Sequence, residues 1–302
     1  MRIFLPEGAL IADDENVRAM QNEASLKQAQ AAGQVLESRA ILCDSAHNLH
    51  VSLGTMRGVI PRSEGALGID NGQVRDVALL TRVNKPVQFI VERFCGDTVF
   101  LSRKAVQSAC CQEYLRSLQP GHIVTAVVTR LESFGVFCDV GAGISALLPV
   151  SQICVSRIEH PCQRLRVGMK IRAAVRNIDH CGRITLTMKE LLGTWSENAA
   201  NFNIGDTVPG IIRSVEHYGI FVELTPNLSG LAEFVPGLHA GMSCSVYVKA
   251  IIPEKMKIKL VLVDAFSQTI TPESPFYYVR SNRIEHWLYS PRTCEKVIET
   301  HF

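Results

Sequence analysis

Phe134 and Phe137 lie three residues apart, with Gly135 between them, in the stretch Ser133-Phe-Gly-Val-Phe-Cys-Asp-Val-Gly141. Rings at that spacing near the outer face of a strand suit one kind of chemistry, stacking on flat partners. Alternation supports the placement. Val136, Cys138 and Val140 share one parity and are expected to face a core, so Phe137 is expected to face water beside Asp139. Gly135 suits a bend or bulge just after Phe134. From this stretch alone a stacking surface and a rim packed by a neighbouring loop stand level, because single exposed apolar residues are common. Recurrence separates them: Tyr218-Gly-Ile-Phe221 repeats the arrangement 84 residues on. Later in the first of these units Ile184, Leu186 and Met188 alternate inward, which puts Arg183 outside with the rings, and Lys257 precedes the matching strand of the next unit. A cation beside exposed rings can pair with phosphate or lie against a base plane.

The elements that position these residues come from an internal repeat. The first unit reads Gly33-Gln-Val-Leu-Glu, His47-Asn-Leu-His-Val-Ser-Leu-Gly, Gly58-Val-Ile-Pro and Val99-Phe-Leu-Ser-Arg-Lys104. The second reads Gly121-His-Ile-Val, the Phe134 stretch, Ala146-Leu-Leu-Pro and Arg183-Ile-Thr-Leu-Thr-Met-Lys189. The third reads Gly205-Asp-Thr-Val, Tyr218-Gly-Ile-Phe-Val-Glu-Leu, Gly230-Leu-Ala-Glu and Lys257-Ile-Lys-Leu-Val-Leu. Each unit has room for about five short strands separated by turn residues, and so short a sheet covers its edges by closing into a barrel. The middle unit carries an insert over residues 156–168 with room for a helical turn, and the third shortens it to residues 235–241.

Short helical linkers are expected after Lys104 and Lys189, each returning an aromatic residue, Tyr114 or Trp195, to a barrel. Trp195 reads as a plug, not a binding residue. Asp13 or Asp14 is expected to cap one helix running through residues 19–32, stopped by Gly33. The tail aromatics around Tyr277 and Trp287 are expected to pack on the third barrel, since the tail carries four basic and four acidic residues and no electrostatic footprint. The expected boundaries are a helical extension over 1–32, barrels over 33–105, 118–190 and 203–264, and a C-terminal extension over 265–302.

Composition excludes several classes. A hydrophobic share of 47% in 302 residues is globular. No apolar run approaches the roughly 18 residues of a membrane span. Pro6 and the acidic residues from Asp13 arrive too soon for a signal peptide. Ten cysteines without a Cys-x-x-Cys read as reduced thiols of a cytoplasmic protein, with no metal and no cofactor implied. The net charge is only +2, but residues 119–190 carry nine Lys/Arg against five Asp/Glu, whereas residues 203–264 carry five against six. A polyanion is therefore favoured at the middle unit. Gly141-Ala-Gly-Ile-Ser-Ala146 fits a dinucleotide-binding fingerprint, but its helix would have to continue through Pro149. No Walker loop, zincin or nucleophile-elbow motif is present, so no catalytic residues are expected.

From Gly33 to Asp264 the units resemble the S1 RNA-binding domain, the oligonucleotide-binding (OB-fold) barrel of bacterial ribosomal protein S1, also found in polynucleotide phosphorylase. The linkers resemble the joints between repeats of the ribosomal protein. The resemblance implies an all-β chain of tandem five-stranded barrels with an RNA face made of two aromatics, a histidine, an aspartate and an arginine. In the middle unit these fall on Phe134, Phe137, Asp179 and Arg183, with Pro149 where the histidine is expected. Asp179 then serves to fix Arg183. The third unit keeps Tyr218, Phe221 and Lys257 but has Glu233 and Pro253 at the remaining positions, implying weaker binding. In the first unit His47 and His50 replace both aromatics and no basic residue precedes Val99, implying a structural or protein-contacting barrel. The expected function is non-enzymatic binding of single-stranded RNA in translation, with the ribosome as a possible partner and no membrane. The alternative is a protein-docking scaffold on the ribosome or an RNA-decay machine. An RNA-processing enzyme has only the family context behind it.

Overall fold

The computed structural model describes residues 4–268 and 272–302, so residues 1–3 and 269–271 of the expected terminal extensions lie outside the described residues. Two compact units can be distinguished: one runs to Leu118 and includes Asp139–Ser145, the other comprises Gln119–Cys138 and Ala146–Phe302.

In the first unit Asp13 caps α1 (Asp14–Ala19) by accepting from the amides of Glu15 and Asn16. The single helix expected through residues 19–32 is two. Asn22 takes an extended backbone and forms a capping box with Ser25, which starts α2 (Glu23–Ala31) afresh. Gly33, at φ 56°, stops α2 as expected. The first barrel follows: β1 (Leu36–Cys43), β2 (Leu49–Leu53), β3 (Met56–Ile60), then α3 (Val77–Leu80), β4 (Pro86–Cys95) and β5 (Thr98–Ser102). Its closed order is β1-β2-β3-β5-β4 around Leu36, Leu49, Phe89 and Leu101. Ser102 caps the linker helix α4 (Arg103–Ala109), which runs into a π-helical turn over Cys110–Tyr114.

The second unit holds the middle and third barrels. The middle strands are β6 (Ile123–Glu132), β7 (Gly135–Asp139), β8 (Ser145–Pro149), β9 (Lys170–Ile178) and β10 (Ile184–Thr187), closed in the order β10-β8-β7-β6-β9. The insert forms the expected turn at Pro161–Gln163. After α5 (Trp195–Ala199), capped by a Thr194–Glu197 box, come β11 (Thr207–Glu216), β12 (Gly219–Thr225), β13 (Leu228–Ala232), β14 (Ser243–Ile252) and β15 (Lys257–Phe266). Trp195 is buried in the third core, the plug expected of it. In every barrel the third strand pairs parallel with the fifth, and each sheet closes. The fold is all-β, three tandem OB-fold barrels. Among the described residues no disulfide forms and no helix is long and apolar enough to cross a membrane.

Two placements differ from expectation. Asp139 does not face water. It is buried, and its carboxylate accepts the amides of Glu7, Gly141 and Gly143, so backbone donors replace the solvent. The glycine-rich loop is thereby occupied by the protein itself: a Cβ on Gly143 would lie 2.1 Å from the Arg103 side chain, and strand β8, not a helix, follows. The tail packs on both barrels of its unit. Trp287 of β16 (His286–Leu288), which pairs with β17 (Glu299–His301), and Tyr289 enter the third core. Upstream, the Arg172 amide donates to Tyr277 Oη (2.9 Å) and its guanidinium to the Val279 and Ser281 carbonyls, on the middle barrel.

Candidate nucleic-acid interface

Cross-strand register builds the third-barrel face. Phe221 pairs with Leu231 across β12 and β13, and Leu231 with Lys259 across β13 and β15. Ile258 and Leu260 are buried while Lys257 and Lys259 are exposed, so period-two alternation aims both ammonium groups outward beside the rings. The Tyr218 ring meets the Phe221 ring edge-on, centroids 6.1 Å apart at 89°. Tyr218, Phe221, Leu231, Glu233, Lys249, Lys257 and Lys259 line one groove of about 650 Å³. Residue parity pointed to Lys257; Lys249 and Lys259 were missed, although the same alternation along β14 and β15 marks them.

The middle barrel repeats the geometry. Phe134 is 55% exposed, and its ring meets Phe137 at 6.1 Å and 87°. Gly135 is required by a close backbone approach: a Cβ there would stand 2.6 Å from the Leu148 carbonyl oxygen, as one on Gly219 would stand 2.5 Å from that of Ala232. The glycine between the rings lets the third strand pass beneath them. Arg183 Nε donates to Asp179 Oδ2 at 2.7 Å, and Asp179 Oδ1 accepts the Arg183 amide. That backbone bond, with the guanidinium contact, holds the Asp179 carboxyl below its ordinary value. Asp179 therefore fixes the hairpin and its arginine, leaving the rest of an exposed guanidinium for a ligand. Sequence reading missed Arg130, whose guanidinium lies 4.8 Å from the Phe137 ring centroid. Parity along β6 gives no signal for it, since Val124, Ala126 and Val128 of the same set are buried.

On the first barrel His50, Val59, Phe100 and Arg93 form the corresponding row. His50 stands where Phe137 and Phe221 stand and is bound to Asp44 at 3.1 Å. The Arg93 guanidinium lies 4.2 Å from the Phe100 ring centroid. His47 sits outside this row in a turn at φ 62°. Pro61 and Pro149 occupy the two positions at which the third barrel has Glu233, each ending its third strand.

Within the second unit the middle barrel's insert docks on the third barrel. The Val155 amide donates to Asn227 Oδ1 and the Ser156 amide to the Pro226 carbonyl, both at 3.0 Å. Glu223, buried on β12, is paired with Arg164 of the insert and with Arg213 of β11 at 2.8 Å.

Tandem closed five-stranded barrels with outward aromatic and basic residues define an OB-fold protein of the repeat type. Within that class, residues 117–189 match the model of the S1 RNA binding domain family. The chain is related to small ribosomal subunit protein bS1, with 32% identity over 178 residues to that of Rhodopseudomonas palustris, covering 57% of this chain and 31% of that protein. It is 30% identical over 183 residues to the bS1 homolog of Bacillus subtilis, covering 58% of this chain and 47% of the other. The chain thus spans less than half of the length of these relatives, 31% of one and 47% of the other. A multidomain protein with nucleic acid binding domains from Streptococcus pneumoniae aligns at 13% identity and a TM-score of 0.25, over 76% of this chain and 73% of that one.

Proposed function

We propose that this protein binds single-stranded RNA without catalysing a reaction on it. The RNA lies on the outer faces of the middle and third barrels. The observation that carries the reading is the doubled ring pair: Phe134 with Phe137 and Tyr218 with Phe221 share a separation and an edge-on angle, each beside outward basic side chains. Rings exposed this way stack on bases of any sequence, worth about 1 to 3 kcal/mol per base. Arg183, positioned by Asp179, and Lys257 take phosphate or base planes. Residues 33–105, 118–190 and 203–264 act as the repeats, the first in a structural or protein-contacting role. The relatives named as small ribosomal subunit proteins support a place in translation, in the cytoplasm and at the ribosome. An anisotropy titration with an unstructured RNA tests the reading. Phe137→Ala combined with Arg183→Ala is expected to lower affinity strongly; an unchanged affinity, or none in the parent, sinks it and favours a protein-docking scaffold.

A further inference from the structure

Each barrel carries, among its register shifts, a β-bulge at the same place, in its fourth strand opposite its fifth. In the first, Val91 pairs with Leu101 and Arg93 with Phe100, which skips Glu92. In the middle, Val175 pairs with Leu186 and Asn177 with Thr185, which skips Arg176. In the third, Val248 pairs with Leu260 and Ala250 with Lys259, which skips Lys249. The positions are equivalent by structure, because Phe100, Thr185 and Lys259 are the residues that pair in parallel with Val59, Leu147 and Leu231. A bulge re-aims the side chain it inserts. All three inserted residues are exposed, and Lys249 lines the groove with Tyr218 and Phe221.

We propose that the bulge residue is a phosphate contact of each RNA-binding barrel, and that its charge decides which barrels take RNA. The inference rests on the reading that RNA lies on these faces. Lys249 places a cation in the groove of the Tyr218–Phe221 pair, and Arg176 holds the same register position in the middle barrel. Arg176 lies 3.8 Å from the buried Glu190, a separation that leaves most of its donors for a phosphate. Glu92 places an anion at the same point of the first barrel and repels the RNA backbone there. Arg93 does not offset it, since its guanidinium is drawn over Phe100. The bulge thus acts as a polarity selector. An identical backbone device presents opposite charge in barrels whose ring positions also differ, His50 in one and phenylalanine in the others.

The test is a salt series on the full chain with an unstructured oligouridylate, because the slope of log affinity against log salt counts neutralised phosphates, about 0.7 per contact on a single strand. Arg176→Gln and Lys249→Gln are each expected to reduce the slope by about 0.7. Lys249→Arg should restore it, and Lys27→Gln on the N-terminal helix should leave it unchanged. Glu92→Lys should raise it by a similar step. Phe137→Ala should lower affinity at unchanged slope. If the parent binds and Phe137→Ala weakens it while the bulge variants keep the parental slope, the bulge proposal is overturned and the RNA reading stands. An unaltered slope in Glu92→Lys overturns the exclusion at the first barrel. If the parent binds no RNA, both fall.

Discussion

The Phe134 ring meets the Phe137 ring edge to face at 6.1 Å, and Tyr218 meets Phe221 at the same separation in the next barrel. Each pair presents one ring face and one ring edge to a ligand. Replacing Phe137 by Ala removes one stacking surface, about 1 to 3 kcal/mol or roughly 5- to 150-fold in affinity. Phe221→Ala should act the same way on the third barrel. Combining the two in one chain should cost more than either alone in an anisotropy titration.

The full chain is expected to show a shallow salt dependence for a nucleic-acid protein. Its outward cations are few, and Asp179 and Glu132 already engage Arg183 and Arg130. A steep slope, like that of a protein making many ionic contacts, would place the binding surface elsewhere.

Glu223 holds Arg164 and Arg213 in a buried group where the insert meets the third barrel. Glu223→Ala leaves two guanidinium groups buried without a carboxylate, at a cost of about 3–5 kcal/mol. Urea denaturation should show the loss as a lower midpoint. A shift below about 1 kcal/mol would mean that water reaches the pair more freely than its burial indicates.

Burial raises the Asp139 carboxyl to about 7, and the negative charge of Glu7 adds to the shift against the amides that the carboxylate accepts. An unfolded aspartate titrates near ~3.9. Between these values the folded state holds the extra proton, so this group's contribution to stability falls as pH rises from about 4 to about 7. Glu7 behaves oppositely. Burial pushes its carboxyl up, but the charge and hydrogen bonds of Arg103, with Arg82, more than offset this, so its contribution is lost only in more acidic solution. Denaturation midpoints from pH 4 to 8 should decline in the parent and decline less in Asp139→Asn, where Glu37, whose carboxyl burial also raises, keeps the remainder of the slope.

Tyr289 is buried, with its hydroxyl donating to the Asn227 carbonyl at 2.6 Å, and Trp195 fills the same core. Tyr289→Phe should cost about 1 kcal/mol by losing one hydrogen bond. Trp195→Ala should cost about 3–5 kcal/mol by opening a cavity. Thermal unfolding that gave the reverse ranking would mean that the tail, not the linker plug, anchors this barrel.

The recurring units that begin at Gly33, Gly121 and Gly205 were enough to infer three barrels, and alternation on the last strand was enough to place Arg183 and Lys257 outside. These are local properties: a strand has period two, so the parity of a few residues decides their face. The same locality explains the misses. Asn22 breaks the expected helix because its side chain competes for backbone donors. Asp139 has the parity of an exposed residue, yet it is buried because Glu7, 132 residues away in the chain, supplies an amide to it.

The sequence by itself determined the all-β class, the tandem architecture, the outward rings and the basic residue that follows them, because each follows from spacing along one segment. Only the tertiary structure decided which residues stand beside those rings. Lys249 and Lys259 reach the Tyr218–Phe221 groove, and Glu92, Arg176 and Lys249 share one bulge, through pairings between strands far apart in the chain. A one-residue slip in register changes which side chain a ladder presents, and no single segment records where its partner slips.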